Sequence, residues 1–454
     1  MKIFIASSSE SKLSLLFAAL FGIASAFVIL RVLPMGDKNV LFLLALPLVG
    51  LFFLLILIDA KTALILLLFT RASLNYVIEL TRVDILGQNI GIGGGINLFV
   101  LILALVLMIQ KPGVIFESSI SKHWIFYLLI CALAVVYSPV RGRGARLFLN
   151  LLSYYCMLTL PFILINRFED KKFWLKVLFF STILPVCFAN SDLIRSGTFA
   201  EVTEERIQGT LTHPNILAFY LIFVITLVFY IFKCHPFSLN KFGKTALRIY
   251  MLNLFVLLGA TKTRGAWLAC WGLFFLFGLL KERRYLLYSL IAPFLALSIP
   301  FVNERVSDAI GPGAAEGNSW SWRLELWRKT LSPVSVRLLF GSGLASFESV
   351  SESEGYGAHN TYLQVIFETG VLGIAAYLGI YLKLLRAFYT KARNTFAHLS
   401  TEHTILFCYT VSYAIASFGD NMLYYLPLNW YVWFFMGVIM RSMALDKMKR
   451  VSIL

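Results

Sequence analysis

Polar and apolar residues along this chain change over on the scale of whole helices. Fourteen apolar segments can be drawn, at 13–31, 39–59, 61–78, 94–110, 124–140, 146–166, 173–190, 214–233, 248–262, 265–280, 285–302, 362–389, 403–418 and 424–441. Most approach the ~20 residues that a helix needs to cross a bilayer. Short segments of strictly alternating hydrophobicity, the mark of a membrane barrel, are absent from the sequence. Only Asp59, Ala60 and Lys61 break the 39–78 stretch, and 248–280 is equally tight, so merging such pairs brings the total nearer twelve. The pattern predicts an all-α polytopic integral membrane protein of about 12–14 transmembrane helices. It divides into helices 1–11 with short loops over 1–302, one long loop over 303–361, and C-terminal helices with a tail over 362–454.

Composition agrees. Of 454 residues, 59% are hydrophobic and 14% charged, against about a quarter charged in soluble domains. A mean hydropathy of +0.78 excludes a soluble enzyme, a disordered chain and a disulfide scaffold. Lys2 and Lys12 followed by Ala24-Ser25-Ala26 have the look of a cleavable leader, but the apolar run continues through Phe27, Val28, Ile29 and Leu30. A retained first helix is therefore expected. The six cysteines lack metal-ligand spacing and read as packing residues, Cys234 alone falling in a basic loop. The Gly91–Gly95 cluster lacks the lysine and strand of a phosphate loop and reads as a flexible turn entering the fourth helix.

The net charge of +16 raises the question of where the cations sit. Five basic clusters fall on one side of a fourteen-crossing topology: Arg167/Lys171/Lys172, Lys233/Lys241/Lys244, Lys281/Arg283/Arg284, Lys383/Arg386/Lys391/Arg393 and Arg441/Lys447/Lys449/Arg450. The positive-inside rule makes that side the cytoplasm, with both termini. Arg71, Arg82, Arg141, Arg143, Arg146, Arg195, Arg206, Arg264, Arg323, Arg328 and Arg337 then lie toward the outer side, against the rule. Each could pair with Glu201, Glu204, Glu205, Glu304, Glu325 or a lipid headgroup. As a set they suggest an anionic ligand such as a lipid-linked phosphate or diphosphate, because the planar guanidinium donates two parallel hydrogen bonds. No nucleic-acid partner is expected.

Four motifs carry candidate chemistry. His359-Asn360 ends the long loop, and Gly370 and Gly373 follow in the next helix. An imidazole there can take a proton or contact a phosphate. Thr263-Arg264-Gly265-Ala266 lies between two close helices, where Gly265 is expected to permit a tight turn. Arg264 could instead be a snorkelling anchor. Ser321-Trp322-Arg323-Leu324-Glu325-Leu326-Trp327 places Arg323 and Trp327 on one helical face, and it can at the same time rest on the membrane surface through its tryptophans. Arg206 precedes Gly209 and His213-Pro214-Asn215, with Pro214 suited to a first helical turn and His213 read as structural. The cluster of Arg141, Arg143 and Arg146 is generic, with Arg143 kept as a lesser candidate. The first and last helices add little beyond hydrophobicity.

His359-Asn360, nine residues, then Gly370-x-x-Gly373 resembles the signature of the O-antigen ligase and polymerase superfamily, with Ile374 in place of a frequent threonine. The other three motifs are similar to further segments of that superfamily, over about 200–375. The resemblance implies a GT-C-like membrane glycosyltransferase, inverting and independent of metal or other cofactor, in the bacterial inner membrane with its site facing the periplasm. Its donor would be an undecaprenyl-pyrophosphate-linked glycan. Its acceptor would be a lipid A–core sugar hydroxyl for a ligase, or another lipid-linked glycan for a polymerase. His359, Arg264 and Arg323 are the implied catalytic residues, and Arg206, Asn360, Trp327 and Arg143 substrate contacts. A transporter of lipid-linked glycan is the competing reading from another class, though polar residues gather at one face rather than at the midplane that a carrier would use.

Overall fold

The computed structural model describes residues 59–81, 83–85, 88–196, 206–310, 319–331, 337–350, 357–394 and 397–451. The first two apolar segments (apart from Asp59), the leader-like stretch, Arg82 and the 201–205 acidic group lie outside them. Six described helical stretches are long and apolar enough to cross a membrane, and two shorter helices, Ser121–Val136 and Arg264–Leu280, are mainly apolar. The protein is an α-helical, multi-pass membrane protein.

The chain begins with α1 (Ala60–Ser73), α2 (Asn75–Leu80), α3 (Ile92–Gln110), α4 (Ser121–Val136) and α5 (Arg141–Leu164). Next come α6 (Phe168–Ser181), α7 (Ile183–Ser196), α8 (Pro214–Cys234), α9 (Lys241–Ala260), α10 (Arg264–Leu280) and α11 (Arg283–Leu297). The long-loop region contributes α12 (Pro300–Ile310), α13 (Ser319–Leu331) and α14 (Phe347–Val350). The chain ends with α15 (Thr361–Asn394), α16 (Ala397–Gly419) and α17 (Leu426–Val451). The expected 248–280 pair is two helices, separated at Thr261, Lys262 and Thr263. Its left-handed residue is Lys262, with φ of 50°, whereas Gly265 is already helical. The expected turn at Gly91–Gly95 is likewise helical, since α3 starts at Ile92 with Gly91 as its cap. An antiparallel hairpin of β1 (Val83–Ile85) and β2 (Gln88–Ile90) precedes it, a small departure from an all-α chain. Cys234 is the last residue of α8 and is buried, and all six cysteines are free thiols.

Helix α8 is apolar on every side and accordingly central. Its Tyr220 packs edge-on against Tyr431, and its Phe223 and Tyr230 edge-on against Phe435, both of α17. By contrast α11 exposes Leu287, Phe294 and Leu295, as a lipid-facing helix should. Lipid tails give apolar side chains no reason to prefer one another, so packing and interhelical hydrogen bonds hold such a bundle. Trp430 Nε1 donates to Ser153 Oγ at 2.8 Å, Tyr413 to Asn429 at 2.6 Å, and Ser412 to the Ala269 carbonyl at 2.7 Å. At the end that carries the basic clusters, Lys171 forms a buried pair with Glu402 at 2.7 Å, to which Tyr230 also donates. Arg441 meets Glu117 at 2.8 Å at the same end.

At the opposite end, α15 is broken at Gly370, whose φ is 68° and ψ −167°. A strap from the long-loop region fills the break. Val371 donates to the Leu338 carbonyl at 2.8 Å, and Ser342 and Gly343 donate to Phe367 and Glu368 at 2.8 and 3.0 Å. Glu368 then accepts from the Ala345 amide at 2.9 Å. The backbone groups that a helix break would orphan are thereby satisfied. The first part of α15, whose N-terminus follows His359, is fixed in this way.

Candidate functional site

Four chain segments converge at this end: the turn before α8, the α9–α10 turn, the residues entering α15, and the α16–α17 connection. Their meeting point is Asp420, which is buried and directly follows α16. Its Oδ1 lies 3.4 Å from His359 Nδ1 and accepts the Asn421 amide at 2.8 Å, while Oδ2 accepts Asn215 Nδ2 at 2.6 Å. Burial opposes ionisation of this carboxyl, but His359, the Asn421 amide and Tyr425 outweigh it and hold it below the usual carboxylate range. A carboxylate facing Nδ1 favours the imidazole tautomer protonated there, which leaves Nε2 as a proton acceptor. The His359 side chain is 31% exposed, enough for a substrate to reach it.

His359 has a φ of 47°, a left-handed conformation that presents the ring before the helix begins. Asn360 is buried, and its Oδ1 caps α15 by accepting from Tyr362 and Leu363 at 3.0 and 3.1 Å. Its own amide donates to Asn421 Oδ1 at 3.0 Å. The side chain expected to contact substrate is thus engaged in holding His359 in place. Trp327 behaves similarly: it is buried, and its Nε1 donates to the Ala358 carbonyl at 2.7 Å. Trp327→Phe keeps the aromatic packing and leaves that carbonyl unpaired. It is expected to cost about 1–3 kcal/mol, measured as a lower unfolding temperature of the purified protein.

Arg323, one turn before Trp327, donates from Nη1 to the Gly419 carbonyl at 3.0 Å, next to Asp420. Its Nε is buried without a hydrogen-bond partner among the described residues. Helix α13 therefore docks on the site, and Trp322 meets the His359 ring edge-on at 6.0 Å. Arg264 opens α10 and is half-buried, and a Cβ added at Gly419 would lie 3.9 Å from Cα of the neighbouring Gly265. Arg206 donates from Nε to the Thr261 carbonyl at 2.8 Å and from Nη2 to Asn215 and Thr263, each at 2.7 Å. It pins the α9–α10 turn to α8, and Asn215 passes the connection on to Asp420. Arg143, exposed at the start of α5, is paired with Glu348 at 3.2 Å and makes no hydrogen bond to this network among the described residues.

The structure brings His359, Arg323 and Arg206 into one hydrogen-bonded neighbourhood, sets Arg264 at its edge, and leaves Arg143 outside. Asp420 was missed because the final helices were expected to contribute only hydrophobicity. A signal was present: a lone acid beside an asparagine at the end of an apolar run is costly unless it is paired. Among the described residues, no three His, Cys, Asp or Glu side chains converge as a metal site would require.

The resemblance read from the motifs agrees with comparison to known proteins. Residues 249–378 match the family model described as O-antigen ligase. That span holds Arg264, Arg323, His359 and both signature glycines, while Arg206 and Asp420 fall outside it. A Rickettsia typhi protein provisionally named a polysaccharide ligase is 22% identical over 350 residues, covering 63% of this chain and 85% of the relative.

Proposed function

We propose that this protein is an O-antigen ligase-type glycosyltransferase of the bacterial inner membrane. It would move a glycan from undecaprenyl pyrophosphate to a sugar hydroxyl of lipid A–core at the periplasmic face. The pairing of His359 with buried Asp420, beside a carbonyl held by Arg323, carries this reading. In the step proposed, His359 Nε2 takes the acceptor hydroxyl's proton as the oxygen bonds to the anomeric carbon. The bond from that carbon to the diphosphate oxygen breaks, and its electron pair leaves with the diphosphate. Attack opposite the leaving group inverts the centre. Asp420 holds the imidazole's tautomer and stabilises the imidazolium, while Arg323 and Arg264 offset the charge developing on the diphosphate. The bond energy resides in the donor, so the step as proposed needs neither nucleotide sugar nor metal.

The test is purified protein in liposomes with labelled lipid-linked glycan and lipid A–core. Label joined covalently to lipid A–core supports the ligase. Longer glycan on the lipid carrier would instead mark a polymerase, and label that only changes leaflet a transporter. In the same assay Arg264→Lys is expected to lose about 10²-fold in kcat, since an ammonium lacks the planar fork. Undiminished turnover would return Arg264 to a membrane anchor.

A further inference from the structure

His213, read from sequence as structural, sits two residues before the Asn215 that joins Arg206 to Asp420. It is the N-cap of α8, and its Nδ1 accepts the Asn215 amide proton at 3.1 Å. An Nδ1 lone pair used in this way can carry no proton, so the ring's single N–H is at Nε2. Among the described residues Nε2 is bonded to none, and the side chain reaches solvent. Partial burial and the neighbouring Arg206 cation both disfavour a second proton, and His359 adds to this while Asp420 opposes it. The electrostatic neighbours of His213 are therefore the candidate site residues themselves.

The two imidazoles are set in opposite tautomers by what their Nδ1 atoms face. His359 meets a carboxylate and is left with an acceptor at Nε2; His213 meets a backbone N–H and is left with a donor. We propose that His213 is a second substrate-contacting histidine, a neutral imidazole whose Nε2–H binds a phosphate oxygen of the lipid-linked diphosphate. This rests on the glycosyl-transfer reading above. A neutral donor there adds a hydrogen bond without adding a cation beside Arg206, which would weaken His359 as a base.

Two substitutions separate the ring's two nitrogens. His213→Asn supplies a side-chain oxygen near the place of Nδ1 and remains a favoured N-cap, but has no donor where Nε2 was. His213→Gln places an amide NH₂ near Nε2 and gives up the cap. Both variants and the wild type are compared for unfolding temperature, for kcat and donor KM in transfer, and for binding of undecaprenyl diphosphate without glycan. His213→Asn is expected to unfold with the wild type yet lose about 10- to 100-fold in affinity for the diphosphate and in kcat/KM. His213→Gln is expected to be less stable but to recover part of that loss. Wild-type binding and turnover in His213→Asn would reduce the ring to a helix cap and overturn the inference. If the wild type transfers no glycan while His213→Asn still binds the diphosphate more weakly, the transfer reading falls and the histidine's role stands.

Discussion

His359→Asn is expected to fold and unfold like the wild type and to lose about 10²–10⁴-fold in turnover, the usual worth of a positioned general base. Asparagine is chosen for two physical reasons. Position 359 has a φ of 47°, and asparagine is enriched in that left-handed region. Its amide NH₂ also falls near the former Nδ1, so Asp420 keeps a donor at the place where His359 Nδ1 lies 3.4 Å away. Only the acceptor at Nε2 is removed. Alanine would confound the result, because it strips a buried carboxylate of a partner at about 1–3 kcal/mol or more. Asp420→Asn is the complementary variant. Asn215 Nδ2 and the Asn421 amide both donate to this carboxylate, so an amide nitrogen in place of either oxygen sets donor against donor. It should therefore lose stability as well as turnover. The assignment is tested by the change in kcat with donor KM nearly constant. Wild-type turnover in His359→Asn would remove the imidazole from the chemistry.

The fold was largely readable because apolar length alone specifies it. The segment expected at 214–233 is the helix Pro214–Cys234, and that at 265–280 is Arg264–Leu280. Pro214 and the short polar turn at 261–263 mark their boundaries with backbone chemistry as well as hydropathy. The glycines at 93–95 misled because a membrane helix tolerates them when its neighbours re-satisfy the backbone. The site was half readable. Its arginines stand out in a chain that should keep cations on the other side. What sequence could not supply is how a side chain is used. Asn360 and Trp327 belong to a motif that resembles a substrate site, yet one caps a helix and the other holds a carbonyl. Asp420 lies 61 positions beyond His359, and no spacing rule connects residues brought together across two intervening helices.

The signature glycines have a structural basis with a large expected consequence. At Gly370, φ of 68° with ψ of −167° is a region essentially closed to residues with a Cβ, worth about 1–3 kcal/mol of strain. A Cβ there would also overlap the Leu339 carbonyl, and one at Gly373 would overlap the Thr369 side chain. The Leu339 carbonyl does not yield easily, because it belongs to the strap that satisfies the broken helix, accepting from Leu372 while Leu338 accepts from Val371. Overpacking adds about 1–3 kcal/mol. Together these approach the lower end of the about 5–15 kcal/mol by which domains are stable. Gly370→Ala is therefore expected to abolish or sharply lower the yield of folded protein, measured as a monodisperse detergent-solubilised peak and its unfolding temperature. Gly94→Ala is the control, since nothing lies within 4 Å of the added methyl group. The strap also carries Ala345, whose amide binds Glu368 at 2.9 Å, so any Gly370→Ala protein that does fold should show a displaced α15 N-terminus and impaired turnover at His359. A Gly370→Ala protein as stable and active as the wild type would mean that the break in α15 is dispensable, and that the spacing from His359 to Gly370 reflects something other than the geometry of this strap.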